Sequence, residues 1–336
     1  MKRLKYLIKR ILRMDYGAML RVVGQIHRKT GKNRLWLFVD MVRCGTKYGA
    51  GYSDYRLCEF YNLTPEQRAT YVTRGVNNAI VAKLNSRDSY PQVEDKTEFN
   101  TLFAEFLGRG WLNMSTADEE KLAEFMQDRE VIISKPTAST CGKGVEKLYK
   151  SDFADIHALY EHLRAEGSGL IEDCLDQHGE VSEIYPHSIN TLRIVTVIGR
   201  DEKPHVVYAF IRIGNGGRFV DNINAGGMAA PIRLEDGVIE YAAFDKDSNY
   251  YDTHPMTNCA IVGRKLPFWK ESLAMCEKAA TMVDGLGYVG WDIAVTPDGP
   301  VLIEGNHFPG HDILQMPPHV PDKIGMLPRF REFIDI

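Results

Sequence analysis

Apolar and polar positions change their period part-way along the chain. From Leu4 to about Gln92 they recur at helical spacing, with no strand-turn-strand signal. Arg34 to Tyr48 carries Leu35, Leu37, Phe38, Val39 and Met41, a stripe wide enough to predict a buried helix. Thr64-Pro65-Glu66-Gln67 opens another, with a capping hydroxyl, a proline at the first helical position and an acid in the first turn. Tyr52, Tyr55, Phe60, Tyr61 and Tyr71 read as an aromatic core cluster. Asp95-Lys96 starts a helix with Phe99, Leu102, Phe103 and Phe106 on one side, and Asp118 to Gln127 predicts a further one.

At Val131 the grammar changes. Val131 to Pro136 predicts a short strand ending in Lys135, and Thr137 to Val145 follows as a small-residue loop around Gly142-Lys143-Gly144. Amides in such a loop can approach phosphate oxygens; the same sequence also serves as a plain hairpin connection. Its spacing is not that of a Walker A loop, and it continues as strand. A helix over about Asp152 to Glu166 leads to a strand, Gly169 to Leu175, that ends near Glu172 and Asp173, with His178, Glu180 and Glu183 in the next loop. Later strands are predicted at Thr191–Ile198, Val206–Ile213, Phe219–Ile223 and Val238–Ala243, then a helix over Lys270–Leu286. Helices before and between the strands of a mainly antiparallel sheet make an α+β protein. The expected division is a helical region at 1–95 and an α+β domain at 96–336.

The last predicted element is a hairpin, Gly287 to Asn306, around Pro297-Asp298-Gly299. With a three-residue loop, Thr296 faces Pro300 and Asp292 faces Glu304; Asn306 shares their side by period two. Facing carboxylates repel unless a cation lies between them, and oxygen donors suit Mg²⁺ or Mn²⁺. The alternative is a solvated hairpin with its charges in water.

Composition narrows the class. Among 336 residues, 44% hydrophobic and 26% charged content is that of an ordinary globular protein, and a net charge of −4 with a pI near 6.2 argues against nucleic acid as partner. Six scattered cysteines without C-x-x-C spacing point to a reducing, cytoplasmic compartment. No apolar run approaches the roughly 20 residues that span a bilayer. Residues 1–14 interleave Lys2, Arg3, Lys5, Lys9, Arg10 and Arg13 with a leucine-isoleucine stripe. That segment predicts either peripheral contact with an anionic membrane or a basic helix packed on its own domain.

The order of parts resembles the ATP-grasp superfamily: a strand with Lys135, a glycine loop, a strand ending Glu172-Asp173, a strand with Arg193, then Asp292 and Glu304-x-Asn306. Ser188 to Thr196, Gly226-Gly227, and Asn306-x-x-Pro309-Gly310 are similar to the sugar-transfer-associated (hexapeptide-transferase-associated) branch, and Gly51 to Tyr55 and Glu94-Asp95-Lys96 fit its N-terminal half. The resemblance implies two α+β subdomains gripping ATP, a lid at about 128–185 and a metal-binding core at about 186–336. It places Lys135 and Lys143 at the ATP phosphates, with Gly142 and Gly144 in the lid loop. Glu172 and Asp173 fall at the adenine hinge, and Asp173, Asp176 or Glu180 on the ribose. Arg193 falls near the γ-phosphate, with Lys143 as a second catalytic cation, and Asp292, Glu304 and Asn306 would hold two Mg²⁺ or Mn²⁺ ions. The implied reaction is ADP-forming ligation of a small-molecule carboxylate to an amine or sugar-linked acceptor, in surface polysaccharide or small-molecule assembly. A kinase acting on a hydroxyl and a nucleotide-binding scaffold are the alternatives.

Overall fold

The computed structural model describes residues 15–136, 144–219 and 221–336, the side chain of Asn224 apart. The basic segment 1–14 and the loop residues Gly142 and Lys143 lie outside them. The chain forms two compact units, one from the described residues up to Lys83 together with Gly310–Ile336, the other Leu84–Pro309. The compact units thus change over at 83/84 rather than 95, and the C-terminal segment groups with the N-terminal helices.

The first unit is helical. Helix α1 (Tyr16–Thr30) is capped by Asp15, which accepts from the Ala18 N–H at 2.8 Å, and ends at Gly31, whose left-handed φ of 72° favours glycine. Helix α2 (Arg34–Lys47) starts under the Asn33 side chain, which accepts from the Trp36 N–H at 3.1 Å. Met19, Val23 and Ile26 of α1 share a core with Leu37, Met41 and Cys44 of α2. Tyr55, Phe60, Tyr61 and Tyr71 are buried in it, with Phe60 and Tyr71 edge to face at 5.3 Å; Tyr52 is exposed. Asp40 is buried and saturated: Arg68 donates to both its oxygens at 2.8 Å and Tyr55 Oη to one at 2.8 Å.

The second unit carries two antiparallel sheets. The smaller runs β1 (Trp111–Asn113), β4 (Ser168–Asp173), β2 (Val131–Pro136), β3 (Glu146–Tyr149). Ile132 and Ile171 face a core completed by Leu122, Leu159 and Leu163 from the helices at Glu119–Phe125 and Ile156–Ala165. The larger sheet has the order β11 (Gly299–Asn306), β10 (Tyr288–Thr296), β5 (Leu192–Ile198), β6 (Pro204–Ile213), β7 (Met228–Ile232), β8 (Ala243–Asp245), β9 (Tyr250–Tyr251). The helix at Trp269–Ala280 buries Met275, Cys276, Ala279 and Ala280 in the core of that sheet.

Four sequence expectations are corrected here. Among the described residues there is no strand over Phe219–Ile223, and Val238 and Ile239 make only isolated bridges. The strand in that region is β7, Met228-Ala-Ala-Pro-Ile, which has no alternation to read because all five residues are buried. The expected helix to Leu286 stops at Ala280. Finally, the hairpin loop has two residues. Thr296 pairs with Gly299 and Val295 with Pro300, so a strict ladder would send Asp292 and Glu304 to opposite faces. A β-bulge restores them: Ile293 pairs with Leu302 and Asp292 with Glu304, leaving Ile303 as the extra residue.

Candidate active site

Cross-strand pairing assembles the first cluster. Glu304 on β11 lies opposite Asp292 on β10, which lies opposite Arg193 on β5. Residues directly opposite share a face, so the three side chains form a row across the sheet. Arg193 grips Asp292 through Nε to Oδ1 and through Nη2 to Oδ2 at 2.9 Å, and Arg212 from β6 adds a bond from Nη2 to the same Oδ2. Arg212 also donates from Nε to Thr191 Oγ1 at 3.0 Å and lies 3.8 Å from Asp221, whose carboxylate caps the Thr191 N–H at 2.9 Å. Gly290, next on the same face of β10, makes room for this packing: a Cβ there would sit 3.0 Å from Arg193 Cδ.

Electrostatics divides the two facing acids. Burial opposes charge on Asp292, but Arg193 and Arg212 outweigh it and hold the carboxyl well below the usual range. Glu304 goes the other way, pushed up to about 7 by poor hydration of its carboxyl and by the Asp292 charge it faces. Glu304 is the exposed residue of the row, so of these two causes the facing Asp292 carboxylate is the one that holds. Arg212 is raised by Asp292, Asp221 and Glu304, against its own burial.

The second cluster surrounds Glu172 on β4. Lys135 Nζ on β2 meets Glu172 Oε2, and Arg109 donates from Nη2 to Oε1 at 3.1 Å with its Nε 3.0 Å from Oε2. Asn100 Nδ2 adds a bond to Oε1 at 3.0 Å. Burial opposes ionisation, and Lys135 and Arg109 override it, bringing Glu172 to about 2. Arg109 also donates from Nη1 to the Leu302 carbonyl on β11 at 2.7 Å, so one guanidinium ties the two sheets. Lys96 donates to the Pro136 carbonyl at 3.1 Å; its ammonium, depressed by burial and by Lys135, feels both Glu304 and Glu172.

The expected site residues fare differently. Lys135, Glu172, Arg193, Asp292 and Glu304 are drawn into these two clusters. Asn306 follows opposite Gly290, its Oδ1 accepting from the Phe308 N–H at 3.1 Å. Gly144 has a φ of 71°, and a Cβ on it would sit 2.8 Å from Pro136 Cγ. Asp173 is engaged by Arg129 and by the Gly110 N–H at 2.6 Å, and Glu172 lies in a ladder with neighbours on both sides. The first backbone groups past that strand are therefore those of Cys174 and Leu175. Glu180 is exposed; its carbonyl accepts from Arg264 Nη1 at 2.6 Å, while its carboxylate enters neither cluster. His307 is stacked on Tyr90 at 3.8 Å and bonded to Glu94 at 2.6 Å. Sequence reasoning missed Arg212, Arg109 and Asn100. The signal that marks Arg193, a charge inside an apolar strand, is equally present at Arg212.

Among the described residues, no group of three or more His, Cys, Asp or Glu side chains is arranged to hold a metal ion. The donors here are two carboxylates and an amide; the Asp292 oxygens are engaged by Arg193 and Arg212, and Glu304 has no ion pair among the described residues, though Lys96 feels its charge. A hard divalent cation that takes few protein oxygens and leaves its other positions to phosphate and water fits that set.

The profile of the family described as sugar-transfer associated ATP-grasp matches residues 76–331. The chain belongs to the sugar-transfer-associated ATP-grasp family. It has the ATP-grasp fold of α+β class, and residues 51–55 precede the matched span. No curated protein matches the chain. Among solved structures it is similar to the ATP-grasp ligase PsnB complexed with minimal precursor, at 19% identity over 68% of this chain with a TM-score of 0.41, and it spans 56% of that chain. It is also similar to the D-cycloserine synthetase DcsG, at 11% identity over 83% of this chain and 92% of that one with a TM-score of 0.44. A third is D-alanine–D-alanine ligase from Bacillus anthracis, at 12% identity over 76% and 72% with a TM-score of 0.42.

Proposed function

We propose that this protein is an ATP-dependent ligase that joins a carboxylate to an amine or another nucleophile through an acyl phosphate, releasing ADP and phosphate. The observation that carries the reading is the pairing, within one family-matched unit, of a cluster with surplus positive charge and a cluster with surplus negative charge. Around Glu172 stand Lys135 and Arg109, with Lys96 close by. Such a surplus suits triphosphate oxygens, and Lys135, the more exposed of the two paired cations, is the one to reach them. Lys143, Gly142 and Gly144 would close over the same phosphates as the lid at about 128–185.

At the other pole Asp292, Glu304 and Asn306 would hold Mg²⁺ or Mn²⁺, in two sites, as the core at about 186–336. Bound there, the ion offsets the negative charge of the transferring phosphoryl group. Arg193 and Arg212 keep Asp292 ionised and would supply positive charge to that group. Glu304, whose carboxyl the facing Asp292 charge pushes upward, would ionise more readily with a cation held beside it. The adenine edge would meet the backbone past Asp173, with Asp176 or Glu180 at the ribose. The carboxylate and amine belong to surface polysaccharide or related small-molecule assembly, a context in keeping with the family.

The test is a panel of carboxylates and amines scored for ADP. Release of free phosphate that requires both acid and amine supports the ligase. A stable phosphorylated acceptor overturns it in favour of a kinase, and ATP binding without turnover on any pair overturns it in favour of a scaffold.

A further inference from the structure

The helical unit carries an open groove of about 770 Å³ between α1 and α2. Leu20, Val23, Leu35 and Phe38 make its apolar lining, and Arg21, Arg28 and Arg34 stand around them without a carboxylate. The apolar side chains are far from satisfied: Leu35 is 72% exposed, Leu20 59% and Val39, one turn on from Leu35, 57%. Leaving such groups in water is unfavourable, and contiguous patches of them mark contact surfaces. Trp36 and Tyr16 are also exposed, and Lys32 lies over the Trp36 ring at 5.5 Å.

Charge chooses the occupant. The only acid within the two helices is Asp40, buried and already held by Arg68, while Arg21, Arg28, Arg34, Arg43 and Lys47 are exposed. A second copy of the same surface would set arginine against arginine. Residues 1–14 contain six lysines and arginines and no acid, so their seating in the groove would do the same. A nucleic acid matches the charge but offers no apolar interior to Leu35 or Val39. Aliphatic groups flanked by Trp and Tyr and rimmed by arginine are the composition of a segment lying at a lipid interface.

We propose that the α1–α2 face docks on a bilayer carrying anionic phospholipid, with Leu20, Leu35 and Val39 entering the headgroup boundary and Arg21, Arg28 and Arg34 meeting lipid phosphates. The docking is independent of the ligase reading, since none of these residues enters either charge cluster of the second unit.

The experiment is co-sedimentation of the full chain with vesicles of phosphatidylcholine alone or mixed with phosphatidylglycerol. Binding is expected only to the anionic vesicles, weakening with salt. Arg28→Ala with Arg34→Ala should lower the partition about thirtyfold. Leu35→Ser with Val39→Ser should lower it at least about tenfold, both with unchanged circular dichroism and thermal unfolding. No binding to anionic vesicles overturns the proposal, as does binding that neither pair of substitutions weakens. A loss confined to Lys9→Ser with Arg10→Ser overturns it by assigning the contact to residues 1–14. Equal binding to soluble polyglutamate overturns it in favour of an acidic protein partner.

Discussion

Glu172 and Asp292 are both buried carboxylates held by two cations, yet the two further acids beside Asp292 have large consequences. Around Glu172, Lys135 and Arg109 are two cations against one acid. Around Asp292, Arg193 and Arg212 are two cations against three acids, Asp292, Glu304 and Asp221. The first cluster depresses its acid; the second splits its facing acids, one down and one up. The sign of the surplus separates an anion-binding pole from a cation-binding pole, although each is built from the same buried ion pairing.

The strongest challenge to this contrast is Asp292→Ala. It strands Arg193 and Arg212 without their shared partner, and the expected cost is about 3–5 kcal/mol of unfolding free energy in urea, with turnover lost. A variant as stable as the parent would show that the guanidiniums find other partners. Glu172→Ala strands Lys135 and the buried Arg109, but Arg109 keeps its bonds to the Leu107 and Leu302 carbonyls, so about 3 kcal/mol is expected. The Glu172 ion pairs also carry a pH signature. Since its folded value of about 2 lies below its ordinary 4.5, this stability is present above 4.5 and disappears as pH falls from there toward 2. An acid limb of the melting curve that is identical in Glu172→Gln would contradict it.

Glu304→Gln probes the other pole without breaking the Arg193 and Arg212 pairs on Asp292. Mg²⁺-dependent turnover should fall about a hundredfold with the fold kept, and full activity would remove Glu304 from the metal site. Its linkage has the opposite sign. With a folded value near 7 against 4.5, the protonated acid contributes stability below 4.5 that is lost as pH rises toward 7. The Gln variant should flatten that decline in a Tm-against-pH series, and a parallel pair of curves would sink the assignment. The smallest effect is expected at Lys135→Ala, about tenfold weaker ATP binding by calorimetry. Unchanged affinity would leave Lys135 as a structural partner of Glu172 alone.

Much of this arrangement is legible in the chain because its signals are local. The apolar strand before Lys135, the isolated charge of Arg193 and the Glu304-x-Asn306 spacing each stand within a few residues. The facing of Asp292 and Glu304 is legible too, but for a reason the structure replaces. A two-residue turn puts the ladder out of step, and the bulge at Ile303 puts it back. Nothing in a hairpin sequence announces which residue a strand will leave unpaired, because that depends on the neighbours packed beside it. β7 escaped for a related reason, since a strand buried on both faces carries no alternation.

The sequence by itself determined the α+β class, the family and the residue types at both poles, since periodicity, turn chemistry and motif spacing are properties of short segments. Only the tertiary structure decided how their charges balance. Arg109 and Asn100 lie 63 and 72 residues from Glu172, and Arg212 reaches Asp292 across 80. Whether a carboxylate ends near 2 or near 7 depends on which distant cations the fold brings to it, and on how much water it takes away.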